Sequence, residues 1–298
     1  MKIIAPIIVS DAVLISSNVA ETDYAVYSPS ATYGLNQYVI VTTGVHKIYQ
    51  SMQANNVGHA VTDPTWWLDC GPTNKWKMHD QSVQSQTVNA TSITNTYQIS
   101  GRCNAVAAFN LDAASIRVQM IDTVSNQPVY DKTLQLISYV GRNSWASYFR
   151  NPIVRLRDVV FADLPSFANA QINMTISAPS GNAACGALIL GNCSDVGGTT
   201  YGMKLGTTSY SVKTQDQFGN YTITKRAFRK TGEFTVQVAS SYVDQLYQLL
   251  TAYRDTPVVY IGTGIYQADM IYGFYKDFSI TVAYESMSLC AITIEGLT

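Results

Sequence analysis

Apolar and polar residues alternate strictly in Ile172-Asn173-Met174-Thr175-Ile176. That pattern specifies a strand with one face buried and the other wet, because successive strand side chains point to opposite faces. A buried face needs a second layer against it, so sheet-on-sheet packing is expected. From residue 1 to about residue 195, similar short strand patterns recur between Gly, Pro, Asn and Asp, as in an all-β sandwich. The clearest run from Tyr97 to Phe109, Ser115 to Ile121, Val129 to Ile137, Gln171 to Ser177 and Cys185 to Leu190. The polar segment Asp122 to Pro128 between the second and third of these predicts a hairpin. Met1 to Val9 is interrupted by Pro6 and followed by Asp11 with no clear cleavage site, so it reads as a first strand and not as a leader.

The small polar stretch Asp195-Val196-Gly197-Gly198-Thr199-Thr200 offers little to pack and is the expected linker. It divides the chain into a sandwich over residues 1–196 and a smaller α+β domain over residues 197–298. The second half predicts strands from Tyr210 to Thr214, Tyr221 to Phe228 and Glu233 to Val238, with a turn at Phe218-Gly219-Asn220. Ser241 to Arg254 is the best helix, with Ser240 or Ser241 as its cap, Val243, Leu246, Tyr247, Leu250 and Tyr253 at helical spacing, and Pro257 as its stop. Val258 to Gly262, Met270 to Tyr275, Asp277 to Tyr284 and Leu289 to Ile294 complete one helix on an antiparallel sheet.

Composition narrows the partners. Only 13% of the 298 residues are charged, and the net charge is -1, so the general attraction to phosphate that nucleic-acid binding requires is missing. No apolar run reaches the roughly 18 residues of a membrane helix, which predicts a soluble chain without a membrane span. Cys70, Cys103, Cys185, Cys193 and Cys290 lack zinc-site spacing and disulfide-framework density, so reduced, buried thiols are expected. Gly262-Thr263-Gly264 lacks the rest of a dinucleotide fingerprint and reads as a strand-end turn. His46, His59 and His79 lie near Asp63, Asp69, Cys70 and Asp80, but at no recognised ligand spacing, and surface and turn roles are expected of them. The acid pairs Asp277 with Glu285 and Asp112 with Asp122 read as solvated charges, and no catalytic residue is assigned.

The densest constellation is residues 66–80, which packs three of the four tryptophans into eleven positions. Trp66, Trp67 and Trp76 beside Asp69, Asn74 and Lys77 suit a shallow glycan site, because an indole face matches the C–H face of a sugar and the polar groups reach its hydroxyls. The competing reading puts the same indoles in the sandwich core and makes Gly71 to Asn74 a plain turn.

The pattern Trp67-x-Asp69-x-Gly71-Pro72-Thr73-Asn74-x-Trp76-x-Met78-x-Asp80 resembles a signature of tailed-phage tail-associated proteins, in which Phe usually stands where this chain has His79. That departure places His79 nearer the surface. The strands after that pattern, ending in Cys185 to Gly191, resemble the galactose-binding-like jelly roll that such phage proteins carry. Tyr201 to Gly206, Lys225-Arg226, Pro257 to Gly262, Ile271 to Phe274 and Ile292 to Leu297 resemble the C-terminal domain of minor virion proteins. The resemblance covers about residues 66–298. It implies a non-enzymatic tail or baseplate subunit of the virion, assembled in the bacterial cytoplasm among other tail proteins as a trimer or hexamer. A glycan-binding adhesin is the alternative, and a depolymerase a third. No cofactor is implied beyond a Ca²⁺ of the kind that braces some jelly rolls.

Overall fold

The computed structural model describes residues 1–138 and 144–298. Strand accounts for 52% of the described residues and helix for 9%, so the fold is mainly β. Among the described residues two antiparallel sheets dominate. The five-stranded sheet runs in the order Gln127–Gln135, Ser115–Asp122, Ala170–Cys185, Thr87–Gln98, Leu14–Ser17. The ten-stranded sheet begins Val159–Phe161, Ala105–Phe109, Ala187–Asp195, Lys2–Pro6, Val258–Ile261, and continues through Met270–Thr281, Met287–Gly296 and Phe228–Ala239. Gly198–Thr199 and Lys204–Ser209 both pair with that last strand.

The two sheets face each other across one core. Ile93, Tyr97, Ile116, Val118, Met120, Ile172, Met174 and Ile176 project from one side, and Val106, Ala108, Phe161, Leu188 and Leu190 from the other. Alternation along residues 170–176 is as expected, although Asn173 and Thr175 are half-buried and not wet. The run Ala105-Val106-Ala107-Ala108-Phe109 does not alternate because it is buried on both faces. Ala105, Ala107 and Phe109 pack on the far side with Ile4, Ile189, Val259 and Tyr272.

Beyond Lys2–Pro6 the ten-stranded sheet supports the longest helix, α2 (Val243–Ala252), through Leu246 and Leu250. Burying each contributes about 2 kcal/mol. The helix lies within the expected span, but no side chain caps it; a 3₁₀ turn at Ser240–Tyr242 leads into it. A second helix, α1 (Trp145–Arg150), is closed by a reciprocal Ser144–Ser147 capping box.

Three expectations change. The predicted strand from Tyr97 to Phe109 is three, the end of Thr87–Gln98, then Arg102–Cys103 paired with Phe167–Ala168, then Ala105–Phe109, because Gly101 at φ +106° turns a corner after the first and the chain goes on to the other large sheet. Thr87–Gln98, Thr- and Asn-rich, is a full strand whose inward positions include buried Asn95 beside Ile93 and Tyr97. The stretch from Asp195 to Thr200 is not a loose linker: a Cβ on Gly197 would stand 2.2 Å from the Gln237 carbonyl oxygen, so only glycine fits there. Lys2–Pro6 pairs on one edge with Ala187–Asp195 and on the other with Val258–Ile261, so a single sheet runs through both halves of the chain. No helix among the described residues is long and apolar enough to cross a membrane.

Candidate functional site

The tryptophan-rich segment runs along the edge of a three-stranded sheet, Tyr38–Val41, Lys47–Ser51 and Trp67–Pro72. Trp67 is buried beneath it. Its ring meets Tyr27 and Tyr33 edge-on at 5.6 and 5.2 Å, and its Nε1 donates to the His59 carbonyl at 3.0 Å. Trp76 is buried in a different place, the core between the two large sheets. Asn74 directs its amide at the backbone, donating to the Val88 carbonyl at 2.8 Å and accepting from the Val88 N–H at 3.0 Å. Asp69 is exposed and ion-paired with Lys47 at 2.6 Å, while Lys77 begins the 3₁₀ turn Lys77–His79. Trp66 is half-buried and lies flat on His59, with 3.7 Å between ring centroids.

The six residues expected at a glycan site are therefore not gathered into one stacking surface. Two of the three indoles are interior and Asn74 is occupied by its own chain. Trp66, Asp69 and Lys77 are the members left accessible. Aromatic side chains follow the apolar interior wherever a sheet face is available, and here the three-stranded sheet and the sandwich each took one.

His46 has an interior role in place of the expected surface or turn role, whereas His59 is half-buried against Trp66 and His79 ends the 3₁₀ turn Lys77–His79. His46 is buried at φ +48°, stacked on Trp76 at 4.1 Å. Its Nε2 meets Asp11 Oδ1 at 2.6 Å and its Nδ1 meets Glu21 Oε1 at 2.9 Å, so both ring nitrogens face carboxylates. The Thr73 hydroxyl donates to the same Glu21 oxygen at 2.8 Å. This network ties the segment from Asp11 to Glu21 onto the tryptophan-rich module. Among the described residues no three His, Cys, Asp or Glu side chains converge as a metal site. Cys103, Cys185 and Cys290 are buried thiols, and burial pushes Cys185 up to about 12. Cys70 departs from that expectation because it lies exposed on an edge strand.

The expectation that His79 lies near the surface is also corrected. Its imidazole packs edge-on against Trp76 and Tyr97, Nε2 is 3.3 Å from the Tyr97 hydroxyl, and Nδ1 is sealed from solvent without a partner. Burial, reinforced by nearby Lys75, lowers His79 to about 3. The ring is thus neutral in the fold, whereas in the unfolded chain it gains a proton below its ordinary 6.5, so its contribution to stability is lost as pH falls from about 6.5 toward 3. His79→Phe is expected to flatten that acid decline and to raise stability at pH 5. Urea midpoints for both proteins between pH 7 and 4 check it, and parallel profiles would refute it. Asp80, raised by burial to about 6, contributes stability that is lost as pH rises through that value. It is present in both proteins and cancels in the difference.

The sequence reading missed the outer face of the three-stranded sheet. Tyr38, Gln50 and Leu68 are direct cross-strand partners and so share that face. Tyr24 stacks on Tyr38 at 5.0 Å, and Gln50 Nε2 donates to Asn36 Oδ1 at 3.1 Å. Alternation of Tyr38 with Val39 and of Tyr49 with Gln50 was the available signal, but four-residue strands carry it weakly. The face presents an aromatic plane beside side-chain amides, a combination that can stack on a sugar and hydrogen-bond its hydroxyls.

No protein-family model and no curated protein sequence matches this chain.

Proposed function

We propose that the chain is a non-enzymatic structural subunit of a tailed-phage tail or baseplate. In this reading residues 1–196 form a jelly-roll sandwich of the galactose-binding-like kind, and residues 197–298 form the unit that docks on the tail. The observation that carries it is where large apolar side chains are left in solvent. Two groups stand out: Trp145, Phe149, Ile153 and Val154 on and after α1, and Tyr201, Phe218, Tyr221 and Ile223 in the second half. Exposed apolar patches of this kind mark surfaces that meet neighbours. The roles of His46 and His79 support the non-enzymatic part, since His46 is held by two carboxylates and the His79 ring packs against Trp76 and Tyr97. Copies would be arranged with three- or six-fold symmetry. Cryo-electron microscopy of the purified particle is expected to place the chain in a tail or baseplate ring. Its absence from the particle would refute the proposal.

A second reading, contact with a host-surface glycan, is favoured by the outer face of the three-stranded sheet. The platform is then Tyr24, Tyr38, Gln50 and Leu68, with accessible Trp66 on the same module, and not the buried Trp67 and Trp76. Tyr38→Ala is expected to reduce glycan-array binding and host adsorption. Unchanged binding and adsorption would remove this reading.

A further inference from the structure

The second half of the chain sends out a long two-stranded ribbon. Lys204–Ser209 pairs with the start of Phe228–Ala239, Tyr210 N–H continues the ladder to the Ala227 carbonyl at 3.0 Å, and Val212–Gln215 pairs with Tyr221–Thr224. Asp216 closes the turn, its Oδ1 accepting the Phe218 and Asn220 N–H groups at 2.9 and 2.8 Å. Hydrogen bonds from the Asn220 side chain and backbone hold the Asp216 carboxyl below its usual range. The ribbon is thus a built element with a defined register.

Every side chain of Lys204–Ser209, Val212–Gln215 and Tyr221–Thr224 is exposed. An isolated two-stranded ribbon is at best marginally stable in water, and unpaired strand edges invite another chain. Nothing among the described residues covers it, so a partner has to be identified by chemistry.

Charge identifies that partner. From Lys204 to Lys230 stand six cations, Lys204, Lys213, Lys225, Arg226, Arg229 and Lys230, against one acid, Asp216, a net +5. The whole chain is -1, so everything outside this segment carries -6. Lys204, Arg229 and Lys230 are paired with Glu233, Glu295 and Asp158 at the ribbon's base. Lys213, Lys225 and Arg226, toward the tip, form no ion pair among the described residues. The complementary surface is an open groove of about 430 Å³ beside α2, lined by Asp195, Val196, Tyr242, Gln245 and Leu249. Asp244 lies in the first turn of α2. The loop holding Tyr284 and Glu285 is tied to the same end through Ser240, which bonds the Tyr284 and Ser286 carbonyls. Asp195, Asp244 and Glu285 are exposed and form no ion pair among the described residues.

We propose that the 204–228 ribbon is an arm that docks in the groove beside α2 of a second copy of this chain, where Asp195 is in the lining and exposed Asp244 and Glu285 stand at the same end. Arm and groove are different surfaces of one molecule, so the contact is head-to-tail and repeats around a ring if the rotation closes. Tyr221 and Ile223 share one face of the arm with Lys213 and can lie against the groove's apolar lining, while Lys213, Lys225 and Arg226 meet Asp195, Asp244 and Glu285. The inference deepens the assembly reading above by naming its contact. It is tested on the chain alone, so its failure and the absence of the chain from a particle are separate results.

The test is light scattering coupled to gel filtration on the full chain and three charge variants, each checked by circular dichroism. The wild type is expected to self-associate and to dissociate with added salt. Reversing the arm (Lys213→Glu, Lys225→Glu, Arg226→Glu) or the groove (Asp195→Lys, Asp244→Lys, Glu285→Lys) is expected to weaken association by at least ~100-fold. Combining all six substitutions in one chain is expected to restore it. A monomeric wild type overturns the proposal, as does an arm variant that still associates or a combined variant that stays monomeric. A wild type that is monomeric yet binds a DNA duplex would reassign the arm to polyanions.

Discussion

Trp76→Ala is expected to lower the free energy of unfolding by about 3–5 kcal/mol, the range for truncating a large buried aromatic. The indole is 8% exposed, shares the core between the two large sheets, and carries His46 stacked on one face with His79 against it edge-on. Removing it leaves a cavity beside the two imidazoles. Urea denaturation measures the change, and a loss under about 0.5 kcal/mol, typical of a surface position, would contradict the buried placement. Trp76→Phe separates volume from polarity. It keeps an aromatic plane under His46 and removes an Nε1–H that has no hydrogen-bond partner, so most of the stability is expected to return.

His46→Ala is expected to cost about 1–3 kcal/mol, because removing one partner of a buried hydrogen bond leaves the other unsatisfied. Glu21 is the group stranded: its side chain is 11% exposed and would keep only the Thr73 hydroxyl, whereas Asp11, 55% exposed, is rehydrated at little loss. His46 also has a positive φ, which alanine tolerates poorly. His46→Asn supplies a residue at ease in that conformation and is expected to recover only the backbone part of the loss. Limited proteolysis provides a second readout, since cleavage between Asp11 and Glu21 should accelerate in both variants. Equal cleavage rates in wild type and variants would show that the network does not hold this segment.

Among the strands that sequence reading found are those whose inward residues are all apolar, such as Ile116, Val118 and Met120 or Phe234, Val236 and Val238. Thr87–Gln98 was read only from Tyr97 onward because an inward position holds Asn95, whose Nδ2 donates to the Tyr97 hydroxyl at 2.7 Å. A polar residue satisfied inside the core erases the period-two signal without disturbing the strand. The turn at Phe218-Gly219-Asn220 was legible because its residues act locally through Asp216. The tryptophan cluster was legible as a cluster, but its split between two cores was not, since the decision rests on packing partners from Tyr27 to Leu190 that adjacent sequence does not contain. The ribbon from 204 to 228 shows strand propensity without a buried face, and that absence of burial becomes visible only once the rest of the sheet is in place.

The placement of Lys2–Pro6 between Ala187–Asp195 and Val258–Ile261 bears on the order of events during synthesis. At about 5–20 residues per second, this strand leaves the ribosome roughly 10–40 s before its first partner is made. Its second partner arrives later still. Until then Ile3 and Ile4, both fully buried in the finished sheet, have no surface to cover them. A sheet whose middle is completed by its earliest segment closes late and slowly, and through that interval the nascent chain carries a short apolar strand that a ribosome-associated chaperone would recognise.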